Sequence, residues 1–109
     1  MNKFIVVYVT VGSAKEADQL ARTLVGEQLA ACVNRVGPVK SIYRWEGQVE
    51  QSEEDLLIIK TREDLFGRLE ARVRELHSYS VPEIIALPIL QGNEGYLKWL
   101  EEQVLGGGG

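Results

Sequence analysis

Apolar residues recur along this chain with two periods, and the switches between them outline the elements. Phe4 to Val11 is an almost unbroken β-branched and apolar run, as expected of a strand buried in the middle of a sheet. Thr10-Val11-Gly12 closes it. Ser13 stands three residues before Glu16, a capping-box spacing that marks a helix start. Ala17, Leu20, Ala21, Leu24 and Val25 then repeat at helical spacing, and the helix is expected to end near Gly26 to Gln28. A second strand is predicted from Leu29 to Trp45, interrupted at Gly37-Pro38, where proline cannot donate to a ladder and a bulge or edge kink results. Glu46-Gly47 supply a turn, and Gln48 to Thr61 return as a third strand.

Thr61 with Asp64 reads as a weaker cap for a second helix, with Leu65, Leu69, Val73 and Leu76 as its buried stripe and Phe66 beside it. His77 to Ser80 connect to a fourth strand over Glu83 to Leu90, which Pro88 assigns to a sheet edge. Asn93 caps a last helix from Glu94 to Leu105, whose stripe is Tyr96, Leu97, Leu100 and Val104. The order is strand, helix, strand, strand, helix, strand, helix. Two split βαβ units predict an α+β, ferredoxin-like βαββαβ sandwich with strand order 4-1-3-2, an extra C-terminal helix and a long hairpin between the second and third strands.

That hairpin is the most informative feature. Each arm is roughly 14 residues long, against about 5–6 for an ordinary strand. At about 3.3 Å per residue an arm reaches roughly 45 Å, far beyond the radius of gyration of about 13 Å expected for a domain of this size. The hairpin must overhang its own globule. It carries Ile42, Tyr43, Trp45 and Val49 outward, so a second copy or another surface is expected to cover it.

The 109 residues fit one domain over 1–105, with Gly106 to Gly109 as a flexible tail. A net charge of −4 disfavours nucleic acid as a partner, because phosphate contacts dominate that affinity. Arg62, Arg68, Arg72 and Arg74 alternate with Glu63, Asp64, Glu70 and Glu75 and read as a solvated helix face. No apolar run is long enough to span a membrane. The apolar start leads straight into a capped helix and is read as a core strand, not a signal peptide. One cysteine allows no internal disulfide, and the cytoplasm follows as the default location.

Several blocks together carry a family likeness. Leu29-Ala30-Ala31-Cys32-Val33-Asn34, Ser41-Ile42-Tyr43-Arg44-Trp45-Glu46-Gly47, Glu54, Lys60-Thr61, His77 with Tyr79, Pro82-Glu83, and Tyr96-Leu97 with Trp99 resemble the CutA family of divalent-cation tolerance proteins across essentially the whole chain. The resemblance implies a ferredoxin-like subunit in a closed homotrimer, similar in architecture to the nitrogen-regulatory PII proteins, and a role in tolerance of copper and other divalent metals. Where the family usually has His-Pro-Tyr, this chain has His77-Ser78-Tyr79, which leaves that loop less stiff.

No nucleophile triad, glycine-rich phosphate loop or dinucleotide fingerprint occurs, so a non-enzymatic role is expected, with no obligatory cofactor. Metal contacts are expected from His77, Glu54 and Glu83. His77 is the only histidine, so a site built on it needs a threefold axis to multiply it; the alternative is a cation closing the second helix. Glu54 is the member that the resemblance singles out of the acidic run Glu46, Glu50, Glu53, Glu54 and Asp55, which otherwise reads as a solvated hairpin or as ion pairs with a neighbouring subunit. Cys32 could take a soft ion as thiolate, but its apolar flanks read as core. Tyr43, Trp45 and Tyr79, with Glu83, are expected to line a cleft between subunits, either as packing or as a small-ligand site. The two leading functions are a trimer that binds divalent metal ions weakly and a PII-like small-ligand sensor; the third is a structural trimer engaging a protein partner.

Overall fold

Alternation decides the first strand of the protein, a computed structural model that describes residues 3–106. Along β1 (Phe4–Val11), Ile5, Val7, Val9 and Val11 are buried while the residues between them are half-buried. After Ser13, whose Oγ accepts from the Glu16 amide at 3.2 Å, α1 (Ala14–Gly26) lays Ala17, Leu20 and Leu24 on that sheet face. Val25 lies eight residues beyond Ala17, about 80° past the stripe, and is exposed. Gln28, in a left-handed conformation at φ 60°, ends the helix.

The next strand, β2 (Cys32–Trp45), starts three residues later than the apolar pattern predicts. Leu29 and Ala30 are buried, but their amides go to the Leu24 carbonyl and extend the end of the helix instead of entering the ladder. The ladder with β3 (Gln48–Arg62) shifts register between Val36 and Val39, where Gly37 and Pro38 are joined by a cis bond. Gly37 also makes room: a Cβ there would lie 2.2 Å from Asp55 Oδ1, and the buried Asp55 is held by Arg35 Nη1 at 2.6 Å. Glu46 and Gly47 both take positive φ and close the hairpin.

The cap predicted from Thr61 does not form. Thr61 is fully buried and its hydroxyl donates to the Leu29 carbonyl at 2.7 Å, while Asp64 accepts from Arg62 Nε at 2.6 Å. The chain instead turns through a single 3₁₀ turn (Glu63–Leu65) into α2 (Phe66–Leu76). Leu69 and Val73 are buried; Leu76, at the helix end, is exposed. Pro82 and Pro88 confine β4 to Ile84–Pro88, shorter than the pattern suggests. In α3 (Glu94–Gln103), capped by Asn93 Oδ1, Leu100 is buried and packs with Val104, but Tyr96 is exposed and pairs with Trp99 at a centroid distance of 5.5 Å. Cys32 is half-buried and not in the core. Of the predicted glycine tail, Gly107 to Gly109 lie outside the described residues.

The strand order is β2-β3-β1-β4, all neighbours antiparallel, as the split βαβ pattern requires. Helices α1 and α2 cover the face bearing Val7, Val9, Leu57 and Ile59. The registers Tyr8↔Ile58, Tyr8↔Ile85, Val6↔Leu87 and Val36↔Leu56 put those side chains together on the opposite face. There Ile85, Leu87 and Val36 are exposed. β1 pairs with β3 only from Asp55 to Arg62, so among the described residues Gln48 to Glu54 have β2 as their sole ladder neighbour. The overhang gives extents of 48 × 25 × 22 Å.

Candidate functional site

A cavity of about 680 Å³ opens where β1 stops and β3 runs on without its inner neighbour. Three aromatic residues line it, Tyr43 and Trp45 from β2 and Tyr79 from the loop after α2. Two carboxylates join them, Glu54 from β3 and Glu83 just before β4, together with the hydroxyl residues Thr10, Ser41 and Ser80. Alternation explains the grouping. Ser41 pairs with Ser52 and Tyr43 with Glu50, so both share a face with Glu54, two and four residues along β3.

Tyr79 closes the inner wall. Its ring lies over Gly12, where a Cβ would stand 3.2 Å from the phenol oxygen, so the absence of a side chain at the end of β1 seats the ring. The phenol donates to Glu54 Oε2 at 2.9 Å. Burial of the phenol, then the hydrogen bond and negative charge of Glu54, push its pKa up to about 12, which keeps it a donor at neutral pH. Glu54 is 8% exposed, and among the described residues this is the only hydrogen bond its side chain makes.

His77 stands behind Tyr79, the ring centroids 4.7 Å apart. Its amide closes α2 by donating to the Val73 carbonyl at 2.8 Å. Its ring spans two other elements: Nδ1 accepts from the Tyr79 amide at 3.0 Å, so Nε2 carries the proton and donates to the Thr10 carbonyl at 2.7 Å. Both ring nitrogens are therefore committed, and no lone pair is left for a metal. Among the described residues, no three His, Cys, Asp or Glu side chains are placed to hold a metal ion. Of the residues expected to meet a metal, Glu54 and Glu83 share the cavity and His77 supports its wall. Of the expected cleft residues, Tyr43, Trp45 and Tyr79 all line it.

Two contributors were not anticipated. Glu16, read only as part of a capping box, turns its carboxylate to the far loop, where Ser78 donates through its amide and its hydroxyl, each at 2.9 Å. A proline at position 78 could make neither bond, so the serine ties the loop down by another route. Thr10 adds its carbonyl to His77 and its side chain to the cavity. Neither position carries a sequence signal beyond its place at the end of a strand or the start of a helix.

Comparison with known proteins gives a consistent result. The family model described as CutA1 divalent ion tolerance protein matches residues 5–103. The divalent-cation tolerance protein CutA of Thermus thermophilus is 53% identical over 97 residues, covering 89% of this chain and 94% of that protein. The chloroplastic protein CutA 1 of rice is also 53% identical, but the chain spans only 55% of its length. The crystal structure of CutA1 from Oryza sativa superposes with a TM-score of 0.94 at 49% identity, covering 95% of each chain.

Proposed function

The chain belongs to the CutA1 divalent ion tolerance family, and from that premise we propose that it works as a homotrimer that binds divalent ions, copper among them, weakly and through carboxylates. The observation that carries the binding is the pairing of Glu54 and Glu83 in one cavity free of lysine and arginine. Only two carboxylates are offered, and Glu54 already accepts from the Tyr79 phenol, so affinity is weak and water or a neighbouring subunit completes the shell. Assembly is supported by the overhang and by the uncovered apolar face around Ile85, Leu87 and Val36. The role is tolerance rather than catalysis, and a cytoplasmic location fits the single cysteine.

A second reading, a PII-like sensor, is favoured by the cavity itself, whose volume and aromatic walls suit a small organic ligand. A trimer that organises a protein partner would use the same exposed hairpin. Native mass spectrometry of untagged protein, followed by calorimetric titration of copper(II) into wild type and Glu83→Gln, tests the proposal. Trimer mass and at least a severalfold loss of ion affinity in the variant are expected. A monomer at micromolar concentration, or equal affinities, would refute it. A strong chelator should leave the fold intact, because no metal is needed to hold it.

A further inference from the structure

We infer that the cavity at the end of β1 takes a small aliphatic amine, its ammonium group set among the Trp45, Tyr43 and Tyr79 rings and charge-paired with Glu54 and Glu83. This deepens the second reading above, the small-ligand site, by naming the ligand's chemistry. Three observations carry it.

The first is charge. The cavity lining holds two carboxylates and no lysine, arginine or histidine. An anionic ligand would meet uncompensated repulsion there, and a neutral one would leave both carboxylates without a counter-charge.

The second is the choice among cations. Aromatic faces attract weakly hydrated organic cations, whereas a hard divalent ion keeps its water shell and gains little from a ring. Trp45, Tyr43 and Tyr79 are 56%, 44% and 38% exposed, an unusual grouping of three open aromatic surfaces at one cavity. A site for ions alone has no use for them.

The third is hydrogen-bond capacity. An ammonium has three donors to place. Among the described residues Glu54 Oε2 accepts only the Tyr79 phenol, and a carboxylate can accept about four bonds, so Glu54 retains capacity although it is 8% exposed. Ser41, Ser80 and Thr10 add hydroxyl oxygens to the same walls. The Tyr79 phenol points its donor at Glu54, which orders the carboxylate before any ligand arrives.

The test is calorimetric titration of the whole 109-residue chain, in the oligomeric state it adopts in solution, with putrescine and with 1,4-butanediol, its uncharged counterpart of similar length. Putrescine is expected to saturate below about 10 mM and the diol to show no binding. Glu83→Gln, Glu54→Gln and Trp45→Phe address charge and ring area separately. Each Glu→Gln change should weaken putrescine at least about tenfold, and Trp45→Phe should weaken it by a smaller factor. Glu83 is exposed, so its variant keeps the test alive if Glu54→Gln fails to fold. Equal binding of diol and diamine, unchanged affinity in Glu83→Gln, or no saturation by putrescine because a neighbouring subunit fills the cavity would each overturn the inference. A parallel copper(II) titration separates the two readings: ion binding without amine binding sinks this one alone, and amine binding without ion binding sinks the metal reading alone.

Discussion

Replacing His77 by alanine separates a histidine that builds the site from one that binds a metal. The ring side chain is fully buried and makes two hydrogen bonds, from Nε2 to the Thr10 carbonyl at 2.7 Å and from the Tyr79 amide to Nδ1 at 3.0 Å. Each is worth about 0.5–1.5 kcal/mol net, and more where its loss leaves a buried group unsatisfied. The void left by the imidazole adds about 1 kcal/mol or more. A loss of about 2–4 kcal/mol is expected, a large fraction of the 5–15 kcal/mol of an ordinary domain. For a chain of this size each kcal/mol lowers the Tm by about 4–8 °C, so the melting point should fall by roughly 8–32 °C. Urea denaturation at one fixed protein concentration measures the stability loss, so that any assembly linked to folding is held constant. Divalent-ion affinity, read by calorimetry on the folded variant, should stay within about twofold of wild type, since neither ring nitrogen has a free lone pair. A variant as stable as wild type that has lost its ion affinity would refute this reasoning and make the ring a ligand.

Three further outcomes are expected. Gly37→Ala should destabilise by about 1–3 kcal/mol because the new Cβ would stand 2.2 Å from Asp55 Oδ1 and displace it from Arg35; in denaturant titrations the effect should largely vanish on an Asp55→Ala background, and additive effects would show that the bulge itself carries the cost. Trp45→Ala should weaken assembly by less than the about 3–5 kcal/mol of a fully buried Trp, because the ring also lines the open cavity on the overhanging hairpin; light scattering across a dilution series that shows an unchanged oligomer would leave Trp45 out of the interface. Tyr79 binds its proton more tightly folded than unfolded, so the stability it contributes is full below about pH 10 and lost as the pH rises through about 12; urea midpoints across that window should fall less steeply for Tyr79→Phe than for wild type, and parallel curves would remove Tyr79 from the account.

Regular elements were legible in the sequence because their signals are local. The period of two in Ile5, Val7, Val9 and Val11 and the helical spacing of Ala17, Leu20 and Leu24 each report one buried face. The overhang was legible from arm length alone. Errors cluster at element ends, where local rules compete with tertiary bonds. Thr61 has the chemistry of a cap, but its hydroxyl reaches the Leu29 carbonyl 32 residues away. Leu29 and Ala30 look like strand, but their amides complete the end of α1.

The site follows the same logic at longer range. Tyr43, Trp45, Glu54, Tyr79 and Glu83 could be nominated singly, yet what joins them is register. β1 ends opposite Asp55, so Gly12 falls beside Glu54 and leaves a gap that the Tyr79 ring fills. No residue pattern encodes that offset; it follows from the Phe4↔Arg62 alignment of two strands far apart in the chain. The same offset explains why His77 changed character. A lone histidine after a helix reads as a ligand or a cap. Once the end of β1 is placed beside the end of α2, its ring bridges the Thr10 carbonyl and the Tyr79 amide. The residue with the most conspicuous chemistry thus holds the wall of the cavity, and the lining itself is made of carboxylates, rings and hydroxyls.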